Sequence, residues 1–186
     1  MNTLQKLSGH FNTITTHKLL VMKLCFKMGL YSQGLLHDNS KYSPVEFISG
    51  VRYYQGDKSP IVAEIRDRGY SEGWLHHKGH NKHHWQYWIT VKRGHLEPLE
   101  MPLRYIKEMT CDRIAACMVY EKEKYTDASA LAFLENSEER KLMPEHTYQT
   151  LRKYLTWVRD MGIDKAFEMI RKDDGNLNCP IKIGHS

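Results

Sequence analysis

The sequence predicts an all-α fold, a bundle of about eight helices packed around a central group. Three observations carry this. Apolar residues recur at three- and four-residue spacing along most of the chain. Ser-Pro pairs and glycines stand where such runs begin and end. No segment alternates apolar and polar residues convincingly as a half-buried strand does, and no internal repeat is present.

Leu4, Leu7, Phe11, Ile14, His17, Val21, Leu24, Cys25 and Met28 mark one face of a long first helix ending near Gly29, with His17 on that face. A short turn or helical start follows from Gln33 to His37. Ser43-Pro44 reads as an N-cap with proline at the first helical position, and its helix reaches about Tyr54 before Gly56-Asp57. Ser59-Pro60 repeats the signal and predicts a helix from Pro60 to about His77, weakened at Gly69 and Gly73. Gly79 to Asn81 is a break. His83 to Lys92 reads as helix, with Trp85, Trp88 and Ile89 on one side, and Gly94 to Met101 as a connection. Pro102 opens the strongest helix, striped by Leu103, Ile106, Met109, Ile114, Cys117 and Met118, to about Lys124. Thr126-Asp127 caps a short helix to Glu135. Pro144 starts another to Met161, Gly162 ends it, and Asp164 to Lys172 forms the last. Residues 1–172 are then a single domain and Asp173 to Ser186 a tail.

The chain has 186 residues, 41% hydrophobic and 26% charged, which suits one soluble core. It lacks the run of about 18 apolar residues that would span a membrane, and no secretory leader is visible in Met1 to Leu30. Cys25, Cys111, Cys117 and Cys179 form no C-x-x-C pair, so buried reduced thiols in a cytoplasmic protein without disulfide partners are expected. A formal charge of +5, spread along the chain, would help attract an anion but is too diffuse for a dedicated nucleic-acid binder.

Eleven histidines stand out, five of them between His76 and His84. Elsewhere the chain offers His17, the doublet His37-Asp38 with Gly34 before it and Asn39-Ser40 after it, and Asp112 on the apolar-striped helix. Divalent Mn, Fe, Co and Zn accept imidazole and carboxylate together. Two of each give a neutral site around one dication, and a buried aspartate needs such a partner. A core histidine, an aspartate cap and an Asp112 ion pair with Arg113 or Arg104 are the alternatives.

This order of residues resembles the HD-domain superfamily of metal-dependent phosphohydrolases, which carries a first His, a His-Asp doublet and a distal Asp. The resemblance implies an HD-like bundle with His17, His37, Asp38 and Asp112 as ligands. The lysine three residues after the doublet, Lys41 in HDNSK, fits some members. Two-metal members add histidines between doublet and distal Asp; here WLHHKGHNKHHWQYW supplies them, with Asp38 bridging. Neighbouring residues on a helix point about 100° apart, so one histidine of each pair is expected to bind, His77 and His84 being favoured. Lys41, His76, His83 and Glu108 are then candidate catalytic groups, with Glu108 also able to orient a ligand or simply to pair with Lys107 or Arg104. Lys41, His80 and Asn81 are candidate substrate-binding groups. Trp74, Trp85, Trp88 and Tyr87 are core packing or a platform for a nucleobase. The segments HDxSK and HHxxxNxHHWxYW are also similar to a bacterial and phage family of unknown function, from His17 to Asp112.

The activity so implied is hydrolysis of a nucleotide or other small phosphoester by a metal-activated water, using one or two divalent ions. An HD-type di-iron oxygenase is the second enzyme reading, and a non-catalytic metal-containing protein that binds nucleotide or RNA the third. No membrane partner is expected.

Overall fold

A computed structural model describes residues 1–177, and these fold mostly into helices, with one small two-stranded sheet. Cys179 and the greater part of the predicted tail lie outside the described residues. Helix α1 (Thr3–Lys27) begins with a capping box, in which Asn2 and Gln5 each accept from the other's backbone N–H. After Gly29, at φ 76°, comes the short α2 (Tyr31–Leu36). Gly34 lets α2 lie against α1, since a Cβ there would stand 3.0 Å from that of Cys25.

The Ser43-Pro44 signal opens α3 (Pro44–Arg52). The long helix expected from Pro60 is two helices, α4 (Pro60–Arg68) and α5 (Glu72–His80). Gly69 adopts the left-handed conformation at φ 79° and ends the first. Ser71 caps the second by accepting from the Trp74 N–H at 3.0 Å.

The helix expected from His83 to Lys92 is absent. Trp85–Trp88 form one 3₁₀ turn, and strands β1 (Ile89–Lys92) and β2 (His95–Pro98) then pair antiparallel, Ile89 opposite Pro98. The two-residue loop explains the error. Arg93 and Gly94 both take positive φ, 50° and 81°, which matches a primed hairpin turn. The spacing of Trp85, Trp88 and Ile89 imitated a helix, while β-branched Ile89, Thr90 and Val91 favoured a strand.

Helix α6 (Leu103–Glu121) is the axis of the molecule, contacting α1, α7 (Ser129–Asn136) and α8 (Glu145–Met161). Ile106, Met109 and Ile114 of α6 meet Val21 and Leu24 of α1 and Leu151, Leu155 and Val158 of α8 in one core. Helix α9 (Ile163–Lys172) closes it with Phe167 and Ile170. The residues just beyond α9 are better held than a tail would be. The Asp173 carboxylate accepts from the buried Tyr154 hydroxyl at 2.6 Å and from Lys153 at 2.9 Å. Cys25, Cys111 and Cys117 are buried and free. No described helix is long and apolar enough to cross a membrane.

Candidate metal centre

The centre begins at the corner after α2. His37 stays extended (φ −50°, ψ 129°), and Asp38 turns into the left-handed region at φ 54°. Only a few residue types tolerate that conformation, aspartate among them. The reversal sends both side chains inward, to 2% and 1% exposure. Lys18, beside His17 on α1, fastens the corner. Its ammonium donates to the carbonyls of Leu35 at 3.0 Å and His37 at 2.7 Å, and to Asn39 Oδ1 at 2.5 Å. The two carbonyls are orphan acceptors at the C-terminal end of α2.

The two oxygens of Asp38 face two sets of donors. Oδ2 looks towards His17 Nε2 at 3.5 Å and His37 Nε2 at 3.4 Å. Asp112 Oδ1 completes that set, 2.9 Å from His17 Nε2 and 3.4 Å from His37 Nε2. Oδ1 of Asp38 looks towards His77 Nε2 at 3.4 Å and His83 Nε2 at 3.5 Å, with His84 the fourth member. Within each set the ligand atoms lie within 4.8 Å of one another, so each could hold a metal ion, with Asp38 common to both.

The unpaired atoms fit that use. His37 Nε2, His83 Nε2, His84 Nε2 and Asp38 Oδ1 are buried without a hydrogen-bond partner. Asp38 Oδ2 also has no hydrogen-bond partner, although the Lys41 ammonium stands 2.6 Å from it and the two histidine nitrogens at 3.4–3.5 Å. Each unmet buried polar atom costs about 1–3 kcal/mol, and these converge on the volume a cation would take. The far sides of the rings are occupied. Glu108 Oε1 accepts from His37 Nδ1 at 3.0 Å and His83 Nδ1 at 3.2 Å, and Glu46 Oε2 from His77 Nδ1 at 2.7 Å. An Nδ1 proton committed to a carboxylate leaves the Nε2 lone pair facing inward, the usual support of a metal-binding histidine.

The charges are consistent. Burial alone would raise the Asp38 and Asp112 pKa values. Histidine partners, joined for Asp38 by Lys41, outweigh it and hold both well below the ordinary carboxylate range. Burial, and then neighbouring histidines, keep His84 well below an ordinary imidazole and therefore neutral. Burial and the His37 charge also lower His83. For His37 burial is overcome by Asp38, Asp112 and Glu108, and its pKa is raised. Burial likewise lowers Lys41, but the Asp38 and Asp112 charges outweigh it and keep the ammonium protonated.

A cavity of about 440 Å³ adjoins the centre, with His84 and Asp112 in its wall. Trp74, Trp85, Met109, Ala116 and Phe133 line it further out. The Trp85 indole N–H is buried and has no partner.

Residues 6–157 match the model of a family of unknown function, DUF5662. The chain belongs to DUF5662. No curated protein and no solved structure matches it. The family match spans every donor of this DUF5662 centre, from His17 to Asp112.

His17, His37, Asp38 and Asp112 come together, as do His77 and His84 with Asp38. Asp112 meets histidines, while Arg113 pairs with Glu139 at 2.5 Å. Three differences matter. His83 stands among the donors beside His84, so both members of that pair converge. They do so because no helix runs through them: Asn81 and His84 have extended backbones, and the 100° rule fails. His76 and His80 stand outside both sets, stacked on each other at 4.0 Å, with His76 on Glu46 Oε1 and His80 exposed. Asn81 and Glu108 act as braces. Asn81 Nδ2 donates to Ser40 Oγ at 2.7 Å and to the His77 carbonyl at 2.8 Å, and Glu108 sits behind two rings.

Sequence reasoning passed over Glu46 and Lys18. Glu46 looked like an ordinary acid in a first helical turn, and nothing along the chain links it to a histidine 31 residues away. Lys18 had one available signal, its place next to His17.

Proposed function

We propose that this DUF5662 protein is a metal-dependent hydrolase of HD-domain type, acting on a nucleotide or other small phosphoester through a metal-activated water. The carrying observation is the pair of His/Asp donor sets that share Asp38, with imidazole nitrogens lacking partners beside an adjoining cavity. A bound dication of the Mn, Fe, Co or Zn type supplies a Lewis acid and makes water acidic enough to act near neutral pH.

The chain's own groups divide the remaining work. Glu108 and Glu46 fix ring orientation through His37, His83 and His77. Lys41 stays protonated and about a quarter exposed beside Asp38, suited to hold a phosphoryl oxygen. His84 is neutral and adjoins the cavity, so its Nε2 can accept but not repel a cation. Three free buried thiols accord with a reducing, cytoplasmic setting.

The test is metal analysis of purified protein together with His37→Ala and Asp112→Ala variants and a broad phosphoester panel. Bound metal should be lost in both variants, and the metal-loaded parent should release phosphate or alcohol. Metal content unchanged in both, or a parent inert on the whole panel, would overturn the reading. One observation favours a second enzyme: five imidazoles against two aspartates suit iron as well. Iron with substrate-dependent O₂ consumption and no hydrolysis would make it an HD-type oxygenase. Ligand binding without any turnover would make it a binding protein for nucleotide or RNA.

A further inference from the structure

We infer that the cavity beside the centre receives the flat, apolar body of a molecule bearing a single phosphoryl or phosphonyl group, and that it discriminates against polyphosphates. This rests on the reading of the centre as a phosphoester site. About 440 Å³ is within the usual range for a small-molecule pocket. Its walls carry large apolar surfaces: Trp74, Trp85, Met109, Phe133 and the Tyr120 ring. Aromatic faces favour flat ligands by stacking and edge contacts.

The charge around the cavity points the same way. Asp57, Glu121 and Glu139 line it together with Asp112. Against them stand Lys58 and Arg113, and Arg113 is already held by Glu139 at 2.5 Å. Helix α6 reaches the cavity through Met109 to Glu121, its central and C-terminal part. That end carries the negative pole of the helix dipole. Sites for several phosphates use the opposite features: helix N-termini, backbone N–H nests and arginine clusters. One phosphoryl group would be met at the centre itself, by a cation held beside Asp112 and His84 at the cavity wall; Lys41 lines a different cavity. Further phosphates would project among carboxylates.

Calorimetry with non-hydrolysable probes tests this. Phenylphosphonate should bind the metal-loaded protein at least about tenfold more tightly than methylphosphonate, and tripolyphosphate more weakly than phenylphosphonate. Phe133 is well exposed, so Phe133→Ala should fold, and it should narrow the phenyl-to-methyl gap. Glu139→Gln frees Arg113 and should improve tripolyphosphate binding. Equal affinity for the two phosphonates, or preference for tripolyphosphate in the parent, overturns the inference. A metal-free arm separates it from the hydrolase reading. Indole, a neutral aromatic probe, should bind without metal and be weakened by Phe133→Ala. Such binding with no turnover of any phosphoester sinks the hydrolase alone. Turnover that is indifferent to an aryl group, with no indole binding, sinks the cavity assignment alone.

Discussion

Glu108 shows how much of the centre depends on groups that do not face it. One of its oxygens accepts from two rings, His37 and His83, which belong to the two different donor sets. Burial alone would raise its pKa. The two histidine contacts reverse that and keep it a carboxylate. Losing such a support behind a metal ligand costs about 10–100-fold in affinity. Glu108→Ala should therefore weaken metal binding by about that much, and Glu108→Gln, which can still accept a hydrogen bond, by less. Titration against a competing chelator measures it, with circular dichroism showing an unchanged helix content. An unaltered affinity in Glu108→Ala would remove the residue from the site. At this scale the principal donors were legible because their types and order are unusual: an imidazole on an apolar face, an adjacent His-Asp, an aspartate among alanines and cysteine. Glu46 and Lys18 were not legible, because their roles exist only once α3 meets α5 and α1 meets the α2 corner.

Between elements, α1 and α3 are locked by a histidine in a glycine notch. A Cβ on Gly50 would stand 2.1 Å from His10 Nε2, and Phe47 and Tyr54 flank the ring at centroid distances of 5.5 and 6.1 Å. Burial, with the Lys41 charge adding to it, lowers His10 to about 4. The unfolded chain protonates this ring near its ordinary value of 6.5, so it binds more protons than the native state at intermediate pH. Stability from this group is thus complete above 6.5 and falls as the pH drops towards 4, by about 2 kcal/mol at pH 5. Urea midpoints at pH 7 and pH 5 should show that loss in the parent and a smaller one in His10→Leu. An identical pH dependence in both proteins would contradict it. Helices were read well from sequence at α1, α3 and α8, where a proline or glycine marks a boundary, whereas Gly69, expected only to weaken a helix, ends α4. The stretch after His83 was misread because two tryptophans at helical spacing masked a turn whose evidence was only Arg93-Gly94.

For the whole molecule, the donors come from α1, the α2 corner, α5, the turn after it and α6. A cation bound there joins elements that the apolar core joins only in part, since no residue of α2, α3, α4 or α5 belongs to the main apolar cluster. A ligand that binds the native state alone stabilises it by about 2.7 kcal/mol at a concentration 100 times its Kd. Exhaustive chelation should therefore lower the melting temperature by several degrees, with re-addition of metal restoring it; about 2–4 °C per kcal/mol is usual at this size. A melting temperature indifferent to chelator and metal would argue against occupation of either set. The all-helical architecture was visible in the sequence, because period and caps agree across the chain. The cavity was not, because its walls come from segments as distant as Asp57 and Glu139.

The span between His17 and Asp112 also sets an order of assembly. The earliest and latest donors are separated by 95 residues, and the α6 aspartate must be present before the first set is complete. A nascent chain leaving the ribosome therefore presents every donor of the second set, Asp38, His77, His83 and His84, before Asp112 has emerged. Loops of that length close slowly and at an entropic cost. Completion of the first set would consequently follow that of the second and would be coupled to docking of α6 on α1.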